Sequence, residues 1–226
     1  MQQTELFAET DRPADRDARK HCDRLFFAVM PDLMTASHIH KAALAFHQAQ
    51  GLDRMVQPVN REHVSVLLVG DYRQRLREKH VYAAKLAARR VVMSAFDITL
   101  DAVGSFAGAS PALDQPSHCP LVLRAGDEGL RVLCDQLRRA MGRQPVPANK
   151  ELIPHLTLSY GPEMIVFRPV TPIRFTAGEF VLIHSEVGLT RYHVLGRWSL
   201  RGGGARTGRD QFVRSLAPRS RGCRQW

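Results

Sequence analysis

The sequence predicts an α+β fold, and three observations point to it. Short apolar segments of strand length are interleaved with longer amphipathic ones, and the order of the two types does not follow a regular β-α-β alternation. Two of the strand-like segments carry the same pattern, histidine then apolar then hydroxyl then apolar, at His63-Val64-Ser65-Val66 and His155-Leu156-Thr157-Leu158, 92 residues apart. Each of them sits among other strands and one helix, as a weakly duplicated half-domain would. With 226 residues and 44% hydrophobic content, the chain is long enough to bury a core.

Residues 1–22 mix acids and bases without an apolar run and read as a disordered arm. Leu25 to Met30 reads as a buried strand ended by Pro31. Asp32 can cap a helix that runs to about Gln50 and stops at Gly51. His63 to Val69 is strand-like and closed by Gly70, and a charged helical stretch follows from about Arg73 to Arg90. Phe96, Ile98 and Leu100 alternate with polar residues as on a half-buried strand, and Leu121 to Leu123 is another short strand.

Leu130, Leu133, Cys134, Leu137 and Met141 fall at helical spacing and end at Gly142. A loop with Pro145, Pro147 and Pro154 leads into the second histidine strand, Leu156 to Tyr160, stopped by Gly161-Pro162. Two last strands are expected near Phe175 to Ile183 and Tyr192 to Leu200. Residues 23–200 then form the globular domain, and the Gly/Arg-rich segment 201–226 reads as a disordered tail.

The net charge of +10 favours polyanionic partners such as RNA, DNA or acidic metabolites. Six of those ten charges sit in the tail, where seven arginines face one acid, Asp210, so the folded part is only mildly basic. The tail can add RNA affinity through phosphate contacts; a merely solvated terminus is the plainer alternative. Cys22, Cys119, Cys134 and Cys223 form no C-x-x-C pair, which signals neither a zinc site nor a disulfide framework and fits a reducing cytoplasm. No stretch reaches the length of a membrane span.

In a strand, residues i and i+2 share a face, so each repeated tetrapeptide presents one imidazole beside one hydroxyl. With ten histidines, about one such pair is expected by chance, and a histidine merely hydrogen-bonded to its neighbours is the plain reading of either copy alone. The matching contexts of the two copies tip the balance towards chemistry. Brought together, they supply an acid, a base and two hydroxyl donors, a set suited to phosphate esters without a metal.

Around these motifs the chain resembles the two-histidine (2H) phosphoesterase superfamily, and within it the bacterial RNA 2′,3′-cyclic phosphodiesterases, also called 2′-5′ RNA ligases. The matching pieces are Arg24 to Val29, His63 to Val66, Pro154 to Leu158 and Phe180 to Ser185, spread over roughly Arg24 to Leu200. The resemblance implies two pseudo-symmetric lobes of antiparallel sheet with outer helices and an active-site cleft between them. It implies His63 as proton donor to the 3′ oxygen, His155 as base for water, and Ser65 and Thr157 as phosphate-binding hydroxyls.

It further implies a hydrolase that needs no cofactor and no metal, works as a monomer, and takes RNA ends or nucleotides bearing a 2′,3′-cyclic phosphate. Ser65 stands where the family usually has threonine, which keeps the hydroxyl. Tyr160 stands where many members have a phosphate-binding arginine; it can donate a hydrogen bond but brings no charge. Two alternatives remain open at this point: another cyclic nucleotide derivative or a 2′-5′ oligonucleotide as substrate, and a non-catalytic RNA-binding module. Phe26 or Phe27 could stack on a base, with burial of both the plainer reading. Arg61 and Lys150 could meet phosphates, with solvated loop charges the plainer one. His38, His40 and His47 share a helix without metal spacing and are assigned to its surface.

Overall fold

The structure, a computed structural model, describes residues 22–72, 76–107, 119–142, 153–187, 189 and 191–201. Eight strands form one antiparallel sheet: β1 Cys22–Val29, β2 Val64–Tyr72, β3 Phe96–Ser105, β4 Cys119–Ala125, β5 His155–Gly161, β6 Arg168–Ala177, β7 Glu179–Val187 and β8 Arg191–Ser199. Their spatial order is β6-β3-β4-β5-β2-β1-β7-β8. The order divides between β5 and β2 into two four-stranded halves, and the expected α+β fold with two related lobes is what the chain adopts. Arm residues 1–21, Lys150, Cys223 and the tail beyond Arg201 lie outside the described residues.

Three helices cover the core face of the sheet, α1 Leu33–Gln50, α2 Glu78–Ala88 and α3 Glu128–Ala140. The start and stop signals of α1 act as the sequence suggests. Asp32 Oδ1 accepts from the Thr35 amide at 2.9 Å, and Gly51 takes the left-handed conformation at φ 63°. Ala36, Ile39, Ala43 and His47 form its buried stripe, while Leu130, Leu133, Cys134 and Leu137 do the same on α3. These stripes pack on Leu25, Phe27, Val29, Val64, Val66, Leu121, Leu123, Leu156 and Leu158, the inward-facing residues of the central strands.

Three expectations about the elements need correction. The strand foreseen from Phe175 to Ile183 is a hairpin of two strands, β6 and β7, broken at Gly178. Pro169 and Pro172 hid β6, and they are tolerated because β6 is the edge of the sheet, where a missing amide leaves no ladder bond unmade. Gly70 does not close β2, which continues to Tyr72 paired with β1. His47 is not on the helix surface: it is buried, with Nδ1–H donating to the Arg54 carbonyl at 3.2 Å and Nε2 accepting from the Ser159 hydroxyl at 3.1 Å.

Candidate active site

Among the described residues, one strand-to-strand pair stitches the two halves of the sheet together. Strands β2 and β5 meet in antiparallel register only at Val64 and Leu156, both fully buried in the core. Because Val64 and Leu156 point inward, their sequence neighbours point to the opposite face. Antiparallel register then places His63 across from Thr157 and Ser65 across from His155. The two tetrapeptides are thus related by a local twofold through that pair, and all four chemistry-bearing side chains share one face. Beyond the join, β5 is bonded instead to the segment before β2, through the Val56 to Ser159 bridge and the Gln57 amide to the Leu158 carbonyl at 2.7 Å.

The result is a cleft of about 540 Å³ whose walls include His63, Ser65, His155, Thr157 and Tyr160. Every site residue expected from the sequence lines it. This volume falls in the range of small-molecule sites. Positions five residues after each histidine, Leu68 and Tyr160, also correspond to one another and both line the cleft. Tyr160 is about half exposed, its ring free to meet a ligand.

Both imidazoles are oriented in the same way. His63 Nδ1–H donates to the Arg61 carbonyl at 2.7 Å, and His155 Nδ1–H donates to the Ile153 carbonyl at 2.8 Å. A carbonyl can only accept, so the bond places the proton on Nδ1 and leaves Nε2 of each neutral ring as an acceptor. Ser65 and Thr157 form no side-chain hydrogen bond with the described residues, so their hydroxyls are available to a ligand.

The rings differ in their surroundings. His63 lies between Phe26, at 5.1 Å between ring centroids, and Tyr192, at 5.7 Å. Burial holds its imidazole down at about 4, and the charges of His155 and Arg61 act in the same direction against the hydrogen bond to Arg61. Burial also raises the Tyr192 phenol above its ordinary value. His155 meets Phe106 edge-on at 5.0 Å, and Phe106 in turn leans on Phe167 at 5.4 Å. That support needs Gly104, because a Cβ there would sit 2.5 Å from Cγ of Phe167.

Other polar residues of the lining were not singled out as site residues by the sequence. Arg24, Gln57, Ser185 and Tyr192 line the cleft from β1, the loop before β2, β7 and β8. Arg24 and Ser185 lie inside segments that carried the resemblance, and alternation along their strands would have placed them on the site face. For Tyr192 no local signal exists, since β8 reaches the cleft only by pairing with β7. Phe26 and Phe27 are both buried, as the plainer reading expects, and Phe26 also forms part of the cleft wall. His184, one residue before Ser185, turns to the core face and bonds Asp23 at 2.7 Å. Among the described residues no three metal-ligating side chains stand together, and no helix is long and apolar enough to cross a membrane.

A two-histidine centre at the waist of a twofold-related antiparallel sheet is the layout of a two-histidine phosphoesterase, and comparison with known proteins agrees. A model of the 2′-5′ RNA ligase superfamily matches residues 35–189. The chain belongs to that superfamily, as the two tetrapeptides led us to expect. Among solved structures it is similar to E. coli LigT complexed with ATP (24% identity, TM-score 0.55, covering 80% of this chain and 99% of that one). It is similar also to TT0787 of Thermus thermophilus (21% identity, TM-score 0.59, 80% and 100%). A third is E. coli LigT complexed with 3′-AMP (23% identity, TM-score 0.54, 79% and 98%). No curated protein sequence matches the chain.

Proposed function

We propose that this protein hydrolyses the 2′,3′-cyclic phosphate of RNA ends or nucleotides to a 2′-phosphate without a metal, and that a 5′-hydroxyl can take the place of water at the same centre, the phosphorus–O3′ bond breaking as the 2′-5′ linkage forms. The observation that carries this reading is the crossed register at Val64 and Leu156, which aims two imidazole Nε2 atoms and two hydroxyls into one cleft. Opening a cyclic diester needs a base for water on one side and a proton for the leaving oxygen on the other. In this scheme His155 takes the proton from water and His63 gives one to the 3′ oxygen. Ser65 and Thr157 donate to the non-bridging oxygens, where charge builds.

Burial holds His63 near 4, so its imidazole is neutral at pH 7 unless a counter-charge is supplied. A phosphate anion against Nε2 supplies the counter-charge that favours its protonated form, so the donor is charged by its own substrate. The E. coli LigT structures complexed with ATP and 3′-AMP support an occupant of nucleotide size. Tyr160, uncharged on the cleft wall, keeps a different cyclic nucleotide derivative as the second reading.

The test is incubation with a panel of 2′,3′-cyclic nucleotides and an RNA oligonucleotide ending in the cyclic phosphate, in the presence of EDTA, with the product identified by phosphorus NMR. Formation of a 2′-phosphate is the expected result. A 3′-phosphate product would overturn the assignment of the leaving oxygen, and tight binding without turnover would favour an RNA-binding module.

A further inference from the structure

The phosphate of a cyclic ester is an anion throughout its reaction, so a cleft that holds it firmly gains from a cation not already neutralised by the protein. Among the described residues, two arginines line the cleft, Arg24 and Arg61. Arg24 is committed elsewhere: Nε and Nη2 donate to the two carboxylate oxygens of Asp71 at 2.7 and 2.9 Å. Glu186, also on the wall, is held by His193 at 2.6 Å and Arg191 at 3.9 Å.

Arg61 has no carboxylate partner among the described residues, and its Nε is buried without an acceptor. Its guanidinium carbon lies 4.2 Å from the centroid of the Tyr192 ring, and that ring packs edge-on against His63. Contact with the ring and its phenol holds the guanidinium in place without neutralising its charge. The backbone adds a second tie, because the Arg61 carbonyl is the acceptor that orients His63. In the other lobe, the residue that plays this backbone part is the uncharged Ile153.

We propose that Arg61 is the phosphate-binding arginine of the cleft, its guanidinium donating to an anionic oxygen of the phosphate held between the two imidazoles. This rests on reading the cleft as a phosphoester site and adds to it the residue that supplies the charge. One residue then orients the proton donor through its carbonyl and holds the anion through its side chain. Binding the anion also cancels a cation beside His63, which couples phosphate capture to the charging of that imidazole.

Inorganic phosphate is the probe, with its affinity read from the imidazole NMR signals of the whole protein. Arg61→Gln is expected to weaken phosphate binding about tenfold or more. Arg61→Lys, which keeps charge but loses the fork, should recover part of it. In ligand-free Arg61→Gln the His63 signal should titrate at higher pH than in the parent, and Arg61→Lys, which keeps the charge beside the ring, should show a smaller rise. Wild-type phosphate affinity in both variants, or a parent protein that binds no phosphate at neutral pH, would overturn the proposal. Turnover of a 2′,3′-cyclic nucleotide is a separate readout. Phosphate binding that depends on Arg61 in a protein without turnover would sink the phosphodiesterase reading and leave Arg61 standing, whereas normal turnover with unchanged KM in Arg61→Gln would sink Arg61 alone.

Discussion

The lobe that carries His63 and the lobe that carries His155 share a backbone plan and differ in what surrounds the imidazole. In each, a carbonyl two residues upstream fixes Nδ1, a hydroxyl lies two residues downstream, and an aromatic ring braces the imidazole. Among the described residues, only in the first is the histidine enclosed by two rings with an arginine behind one of them. In the second, the arginine that approaches the aromatic brace, Arg124, is 5.5 Å from Phe167, one ring further from the imidazole. Repetition of sequence therefore yields repetition of geometry, while the surroundings of each imidazole are set by residues outside the repeat.

The largest expected effects test whether both copies work. His63→Ala and His155→Ala should each lower turnover of a 2′,3′-cyclic nucleotide by about 10²- to 10⁴-fold. Wild-type rates in both would end the mechanism. The roles can be told apart with a phosphodiester whose leaving group needs no proton, such as a nitrophenyl ester: the His63 variant should lose far less on it than on the cyclic substrate, and the His155 variant should lose as much on both. Next come the hydroxyls. Ser65→Ala and Thr157→Val should each cost about 10²-fold in kcat, and a marked inequality would show that the phosphate sits closer to one lobe.

A titration sharpens the comparison further. By imidazole NMR, His63 should titrate near 4 in the free protein and shift upwards when phosphate is added, following the burial that holds it down. An ordinary histidine value for His63 in the free protein would show that its burial does not govern its proton.

The smallest effect concerns stability. Glu62, next to His63, is buried with both carboxylate oxygens unpartnered among the described residues, and burial pushes it up to about 8. Because its folded value lies above the unfolded one, its favourable contribution is present below about 4.5 and is lost as pH rises through about 8. His63 has the opposite sign, losing stability as pH falls from about 6.5 to about 4. Thermal melts should therefore show the parent weakening from pH 6.5 to 8, and Glu62→Gln should remove that decline. A Tm equally pH-dependent in the variant would exclude Glu62 as its source.

Much of the fold was legible because it is written in local periodicity and caps. Asp32 and Gly51 bound α1, the apolar spacing of Leu130 to Leu137 gave the buried face of α3, and alternation put each histidine beside its hydroxyl. The edge strand β6 was not legible, since whether a proline is harmful in a strand depends on whether a neighbour needs its amide. Burial of His47 was hidden for a related reason: its partners, Arg54 and Ser159, come from a loop and from the other lobe.

By itself, then, the sequence determined the two imidazole and hydroxyl faces, the resemblance to a family, and most helices and strands, because side-chain direction follows from the period of the backbone. Tertiary structure alone decided that the faces meet crossed at Val64 and Leu156, that Tyr192 reaches His63 from the far strand, and that Arg24 is neutralised by Asp71 while Arg61 is not. Those outcomes depend on strand pairing between residues distant in the chain and on which charges lose water, and neither is encoded in the neighbours of any one residue.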